Sequence, residues 1–481
     1  MRHQILSVLA ALLASTACGD LTSINDNPNG PTDVQPPSML SNAIQTVVDR
    51  VDGPNNNLDI RGGGLWVQYY AEIQYRDEDK YIVRPGVDGE WGMYSGPLED
   101  FQRMINKGVA AGVPNWEAVG RIMKSYVFSV MTDAMGDIPY SEAFQERALL
   151  TPKYDTQQAI YTALFADLAK ASQQIDPAGF GFKSGDIMYG GDMVEWRKFS
   201  NSLRLRLAMH LSNVDATTAA AQAQAAVTAG VFTSNADNAQ LMYLASAPDQ
   251  NPVYTNVHVD KRDDYGMSKT FVDSLLSWND PRLPVFAQLN NDTIVANQIY
   301  EGLPNGLNDG AGPALLYISR IGAYWRETPA APLALLTYSE VLFLEAEAAE
   351  RGWITGNATQ LYADAIRASM EQYGIATTAI DAYLAQPRVV YATGAAGLTQ
   401  IAYQKWVSLF LQGMEGWTEV RRTGVPALVP GPNAVLTKIP ERLPYSDNEA
   451  VLNKANLDAA VAAQHFSSST DLTTPLWFTG R

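Results

Sequence analysis

The residues best equipped for chemistry in this 481-residue chain are aromatic, and they stand among amides and charges rather than beside nucleophiles. Sugar rings expose C–H patches that pack on aromatic faces, while their hydroxyls take planar polar partners. A glycan site therefore pairs Trp or Tyr with Asn, Asp, Gln or Arg. The chain holds 10 Trp and 23 Tyr. Its densest early cluster is Trp66, Tyr69, Tyr70, Tyr75, Tyr81 and Trp91, interrupted by Arg76, Asp77, Glu78 and Asp79. Trp66 and Tyr70 share a helical face, which favours the core. Tyr75 and Tyr81 flank a charged segment of loop character and are expected, with Asp77 and Trp91, to meet ligand. A second set, Tyr254, Tyr265, Tyr317, Tyr324 and Trp325, lies among Asn251, Asn256, Asp263, Asp264 and Arg320. From it Tyr265, Arg320, Tyr324 and Trp325 complete the expected ligand set.

Other chemistries find less support. The histidines, His3, His210, His258 and His465, are far apart, and no His-Glu-x-x-His run or cysteine pair exists. No transition-metal site, no cofactor and no catalytic residue is expected. The Asp- and Asn-rich loops do not match the ligand spacing of an EF-hand, and structural calcium stays open. Asp133, Asp137 and Tyr140 sit at a helix-to-loop junction where capping explains them. Arg421, Arg422 and Glu415 are expected to form an internal ion-pair network. A glycoside hydrolase needs only two carboxylates roughly 5 to 9.5 Å apart, without a local motif, so it stays as a rival to a binding protein. A purely structural surface scaffold is a third reading.

The first residues are Met1, Arg2 and His3, then an apolar run from Ile5 to Ala14 that closes on Ala14-Ser15-Thr16-Ala17-Cys18. The run is too short to span a bilayer and reads as a signal peptide over 1–17. Small residues before the single cysteine suit lipoprotein processing, with Ser15 where a leucine is usual. Cys18 is then the lipidation site and the membrane anchor. Residues 18–37, rich in Asn, Asp, Pro and Gly, read as a flexible tether. A net charge of −17 and a pI near 4.7 offer no basic stripe, which excludes nucleic acid as a partner. The apolar stretch Ala331 to Leu344 is broken by Glu340 and followed by Glu345 and Glu347, so no transmembrane helix is expected.

Positioning these residues falls to helices. Asp155-Thr156-Gln157-Gln158 sets an acidic cap before Ile160, Leu164 and Leu168 at spacing four. A second helix carries Trp196, Phe199, Leu203, Leu207 and Leu211 on one stripe, with Arg204 and Arg206 off it. Tyr338 to Arg351, Gly352, and Tyr362 to Tyr373 form a helical hairpin whose alanines allow close approach. Such tetratricopeptide-like pairs need about three stacked units to bury a continuous face. Ser38 to Asp52, Gly89 to Lys107 and Trp116 to Met135 are the further candidates. The expected fold is mainly all-α, a helical-pair scaffold with loop-rich insertions. Its parts are an N-terminal helical part at 38–233, a loop-rich ligand-face insertion at 234–330, and a closing helical part at 331–481.

Ordered blocks along the chain carry a family resemblance. They are Ile24-Asn25-Asp26-Asn27-Pro28-Asn29, the run Thr132 to Ala143 around Gly136-Asp137-Ile138-Pro139-Tyr140, and Trp196 to Arg206. Asn279-Asp280-Pro281-Arg282-Leu283, Glu340 to Gly352 and Gln404-Lys405-Trp406 follow. Gly416 to Pro426 and Ile439 to Tyr445 complete the series. Together they resemble the SusD/RagB family of outer-membrane nutrient-binding lipoproteins, in its shorter SusD-like branch, over nearly the whole mature chain. The resemblance implies a cell-surface lipoprotein of the outer membrane that captures oligosaccharide, or in some members peptide. It also implies delivery of that cargo into a SusC-type TonB-dependent transporter, without catalysis.

Overall fold

The computed structural model describes residues 34–52, 58, 62–84, 91–145 and 148–481. The signal segment, Cys18 and the tether as far as residue 33 lie outside the described residues. Helix α1, Pro36–Val51, opens on two prolines that suit a first turn and buries Met39, Leu40, Ala43, Ile44, Val47 and Val48 at helical spacing. The short helix α2, Gly63–Trp66, leads into strand β1, Tyr70–Glu72. Helix α3 begins at Glu99, ten residues later than the Gly89 expected, because Gly96 is non-helical and Pro97 removes a donor. α3, Glu99–Ala111, turns through Gly112 at φ 65° into α4, Pro114–Met135. The two touch backbone to backbone: a Cβ on Gly108 would lie 2.6 Å from the Glu117 nitrogen.

α5, Gln157–Gln174, is capped by Thr156, which accepts from the Ala159 amide at 3.2 Å. Asp155, expected as the cap, instead accepts from Ser141 and the Tyr140 amide. α6, Met193–His210, carries the expected apolar stripe, but Arg206 is buried rather than turned to water. α7, Ala216–Ala229, packs back on α6. The insertion is richer in short elements than its composition implies. It holds β2, Ala239–Leu241, β3, Tyr265–Met267, and α8, Lys269–Ser277. Strand β4, Leu333–Leu336, follows it. β1 pairs antiparallel with β3 and β2 with β4, each strand three or four residues long.

The hairpin expected near residue 350 is α9, Tyr338–Glu350, against α10, Ala358–Glu371. Ser339 Oγ donates to the Ala365 carbonyl at 3.0 Å, a distance that only small facing residues permit. α11, Thr377–Leu384, α12, Ala395–Ser408, α13, Gly413–Thr423, and α14, Lys454–Ala463, complete the chain. The protein is mainly helical, with α3–α4, α5–α6 and α9–α10 as packed pairs. The main apolar core runs from Met39 to Phe478, and a second cluster, which includes Phe343, Tyr362, Ile366 and Ile380, fills the space between α9, α10 and α11. Among the described residues no helix is long and apolar enough to cross a membrane.

Charges also cross the interior. Arg206 meets Glu340 at 2.6 Å, and Arg422 meets Glu347 and Glu419 at 2.6 and 2.7 Å. Lys405 also reaches Glu419, at 2.7 Å, while His210 sits between Asp133 and Glu415, both at 3.0 Å. Arg421 lies outside this network: it covers the Trp417 ring and donates to the Asp133 and Glu441 carbonyls. Charges out of water are tolerated only when paired and hydrogen-bonded, and this set ties α4, α6, α9, α12 and α13 together. α2 is pinned to α13 by bare backbone, since a Cβ on Gly63 would lie 2.4 Å from the Gly413 carbonyl carbon. Beside that contact Trp66 meets Trp417 at 5.0 Å, and Tyr69 donates to the Trp406 carbonyl at 2.6 Å.

Candidate ligand-binding face

The β1–β3 ladder joins the two aromatic regions of the sequence. Its register sets Glu72 opposite Tyr265, and the Ile73 amide extends it by donating to the Asp264 carbonyl at 2.8 Å. On its far side β3 meets residues 319 and 320: Met267 donates to the Ser319 carbonyl at 2.9 Å and Gly266 bridges to Arg320. Ala71, Ile73, Leu303 and Ile318 form a small apolar cluster beneath, so burial holds the three segments in place.

The loop after β1 turns through Tyr75 at φ 58° and Tyr81 at φ 66°. Non-glycine residues adopt that conformation only when neighbours over-determine it. Arg76 does so from below. Its Nε donates to the Glu72 carbonyl at 2.8 Å, and its Nη1 to the carbonyls of Asn308 and Ala311 at 2.8 and 2.9 Å. The turn throws the Tyr75 ring outward, 59% exposed. Arg84 donates to the Tyr75 carbonyl and to Glu78, each at 2.9 Å, and lies 3.5 Å from Asp77. Across the ladder Arg262 donates to Asp264 at 2.6 Å, and Gln74 reaches the other oxygen of Asp264 at 2.8 Å. Half-buried Tyr265 packs edge-on against Tyr70 at 5.8 Å. The loop that exposes the Tyr75 ring thus carries Arg84, Asp77 and Glu78, and the adjoining ladder end carries Arg262, Asp264 and Gln74.

Under this face lie two buried carboxyls. Asp79 accepts from Asn305 Nδ2 at 2.6 Å and the Gly306 amide at 3.0 Å, while Glu72 accepts from the Asp79 amide at 3.2 Å. Burial, and then the charge of Asp79, push the Glu72 carboxyl up to about 10. Burial raises Asp79 to about 7 despite its hydrogen bonds.

The expected site residues divide. Tyr75, Asp77 and Tyr265 come together on the face. Tyr81 does not: it is 3% exposed, edge-on to Trp66 at 6.2 Å, because its left-handed turn folds the ring under the loop. Arg320 is buried behind β3, its guanidinium held by Asp263 at 3.0 Å, where it braces the strand. Trp325 is core, and half-buried Tyr324 packs beside it, both against Tyr373. Trp91 lines a separate cleft of about 620 Å³. Gln74, Glu78, Arg84 and Arg262 were not singled out from the sequence. Their proximity in number to Tyr75 and Tyr265 is the signal that could have found them.

His210, Glu415 and Glu419 bring metal-type donors within 4.8 Å of one another. These donors do not suit a cation. Arg206, Lys405 and Arg422 already neutralise the carboxylates. Burial alone would lower the imidazole, yet Glu415 and Asp133 overcome it and raise His210 to about 9, so both ring nitrogens carry protons at neutral pH.

Comparison with known proteins agrees with this architecture. Residues 28–446 match the model of a SusD-like family described as starch-binding and associating with the outer membrane. A search of curated proteins returned no match. Among solved structures, a chitin-binding protein is 30% identical with a TM-score of 0.81, covering 93% of this chain and 100% of its own. A SusD homologue from Bacteroides uniformis is 25% identical, with a TM-score of 0.83 and the same coverage. A chitin-binding SusD homologue from Flavobacterium johnsoniae is also 25% identical, with a TM-score of 0.78 over 92% of this chain and 97% of its own. On its fold, and on a family match over most of its length, the chain belongs to the SusD/RagB family of carbohydrate-binding proteins associated with the outer membrane.

Proposed function

We propose that this protein captures oligosaccharide at the cell surface through the Tyr75–Tyr265 face and passes it to a SusC-type TonB-dependent transporter, tethered meanwhile by lipid on Cys18. The observation that carries the reading is the convergence, through β1 and β3, of an exposed aromatic ring with guanidinium, carboxylate and amide groups from distant segments. A ring face takes the C–H side of a sugar, and Arg84, Arg262, Glu78 and Gln74 supply partners for its hydroxyls. Two similar structures carry chitin binding in their names, so a chitin fragment is the first ligand to try.

Capture without hydrolysis fits the two carboxyls beneath the face. Glu72 and Asp79 are buried and engaged with the backbone and Asn305, out of reach of a glycosidic oxygen. Calorimetric titration of the mature protein with chitin oligosaccharides, followed by chromatography of the mixture, tests the proposal. Saturable heat with intact sugar supports it, and released product overturns the non-catalytic reading. Co-purification of a transporter from detergent-solubilised outer membrane tests the hand-off. Movement of Cys18→Ala from the membrane to the soluble fraction tests the anchor.

A further inference from the structure

The Trp91 cleft takes no part in the Tyr75 face and has walls of a different character. Its rear is aromatic and fixed: Trp91 packs on Tyr94 at 5.6 Å and on Tyr445 at 6.2 Å, and the Tyr94 hydroxyl donates to the Pro139 carbonyl at 2.5 Å. Phe144 packs on Tyr94 at 6.1 Å and continues the aromatic lining, which Leu149, Leu150 and Pro152 extend, and Glu99, Arg103 and Glu449 add its polar groups. The volume of about 620 Å³ suits a bulky side chain or a small ligand.

Its rim is unusually apolar for a surface in water. Leu150 is 77% exposed, and Val451 and Leu452, in the helical turn after Glu449, are 81% and 67% exposed. That turn is tied to the Leu150 segment. Asn453 donates to the Pro152 carbonyl at 2.8 Å and Asn456 to the Thr151 carbonyl at 3.0 Å. Leu150 lines the hollow itself, and the turn that carries Val451 and Leu452 is held beside it, so exposed aliphatic side chains flank the cleft.

The chemistry of the occupant follows from the lining. Aliphatic side chains offer sugar hydroxyls no hydrogen bond, so the rim does not suit a glycan. Glu99 is engaged by Arg103 at 2.7 Å. Glu449 accepts from the Tyr154 hydroxyl at 2.7 Å on Oε2, and among the described residues no cation lies within 4 Å of it. A complementary occupant brings an apolar side chain to the aromatic wall and a cation to Glu449. The net charge of −17 favours approach of a basic segment at long range. We propose that this cleft is a docking socket for a protein partner, receiving a protruding loop that presents an aromatic or leucine side chain next to a Lys or Arg.

The probe is a dye-labelled, end-blocked peptide with a Phe-Leu pair flanked by lysines, followed by fluorescence anisotropy at low salt. Saturable binding is expected, weakened at least ~10-fold by Leu150→Asp, whose exposed position keeps the thermal melt unchanged. Glu449→Gln keeps an acceptor for Tyr154 and should erase the preference over a glutamate-flanked peptide. Tyr75→Ala should leave peptide binding untouched, which separates this socket from the sugar face. Absence of saturable binding, equal binding by Leu150→Asp, or loss of oligosaccharide binding in that variant would each overturn the proposal.

Discussion

Two charge-rich regions of this protein use the same residue types to opposite ends. In the interior, Arg206, His210, Lys405 and Arg422 meet Glu340, Glu347, Glu415 and Glu419 with almost no exposure, and each of these four cations faces a carboxylate. At the β1–β3 face, Arg84 and Arg262 keep 43% and 52% of their side chains in water beside an exposed ring. Complete pairing leaves the first set nothing to offer a ligand. Incomplete burial leaves the second set donors and acceptors to share. Charge density alone therefore does not mark a site; the contrast lies in what each charge already touches.

The sharpest way to break this contrast is inside. Arg422→Ala leaves buried Glu347 to Arg351 and buried Glu419 to Lys405, and should cost about 3–5 kcal/mol in urea unfolding, with no route to that loss through ligand. Next is a pH effect. His210 is raised to about 9 in the fold from an ordinary 6.5. Its contribution is full below about 6.5 and is lost as pH rises through about 9, amounting to about 3 kcal/mol. Melting curves from pH 6 to 10 should show this fall, and His210→Gln should lack it.

The face carries a pH effect of its own. Glu72 is raised to about 10, so the fold is favoured while it is protonated and loses that advantage as pH climbs from 4.5 toward 10. Glu72→Gln keeps the acceptor for the Asp79 amide and should stabilise the protein at pH 9 relative to wild type. A melt that drops instead would show that the Glu72 charge braces the loop. Smallest in stability is Tyr75→Ala, expected within about 0.5 kcal/mol of wild type, while oligosaccharide affinity falls roughly tenfold. Unchanged affinity would remove Tyr75 from the face.

The helical scaffold was legible because its signals are local. Stripes at spacing three or four, the cap run Asp155 to Gln158 before α5 and Gly352 after α9 all appear in short windows. The site was half legible. Tyr75 and Tyr265 are visible as aromatics among charges, but strands of three residues carry no readable alternation, so the pairing that joins them is not. Tyr81 and Trp325, like Tyr75, stand beside charged residues in sequence. Only the backbone turn at 81 and the packing of Trp325 against Tyr373 reveal that both face inward. Arg206 illustrates the converse, since its partner Glu340 belongs to a helix far along the chain.

The touching backbones of Gly63 and Gly413 bear on the order of events as the polypeptide is made. α2 and the β1 loop rest on α12 and α13, which emerge long after them. Contacts between such distant segments must wait for both to be present. The helical pairs of the first half can form from local contacts, but the loop bearing Tyr75 reaches its folded shape only after almost the entire chain is present.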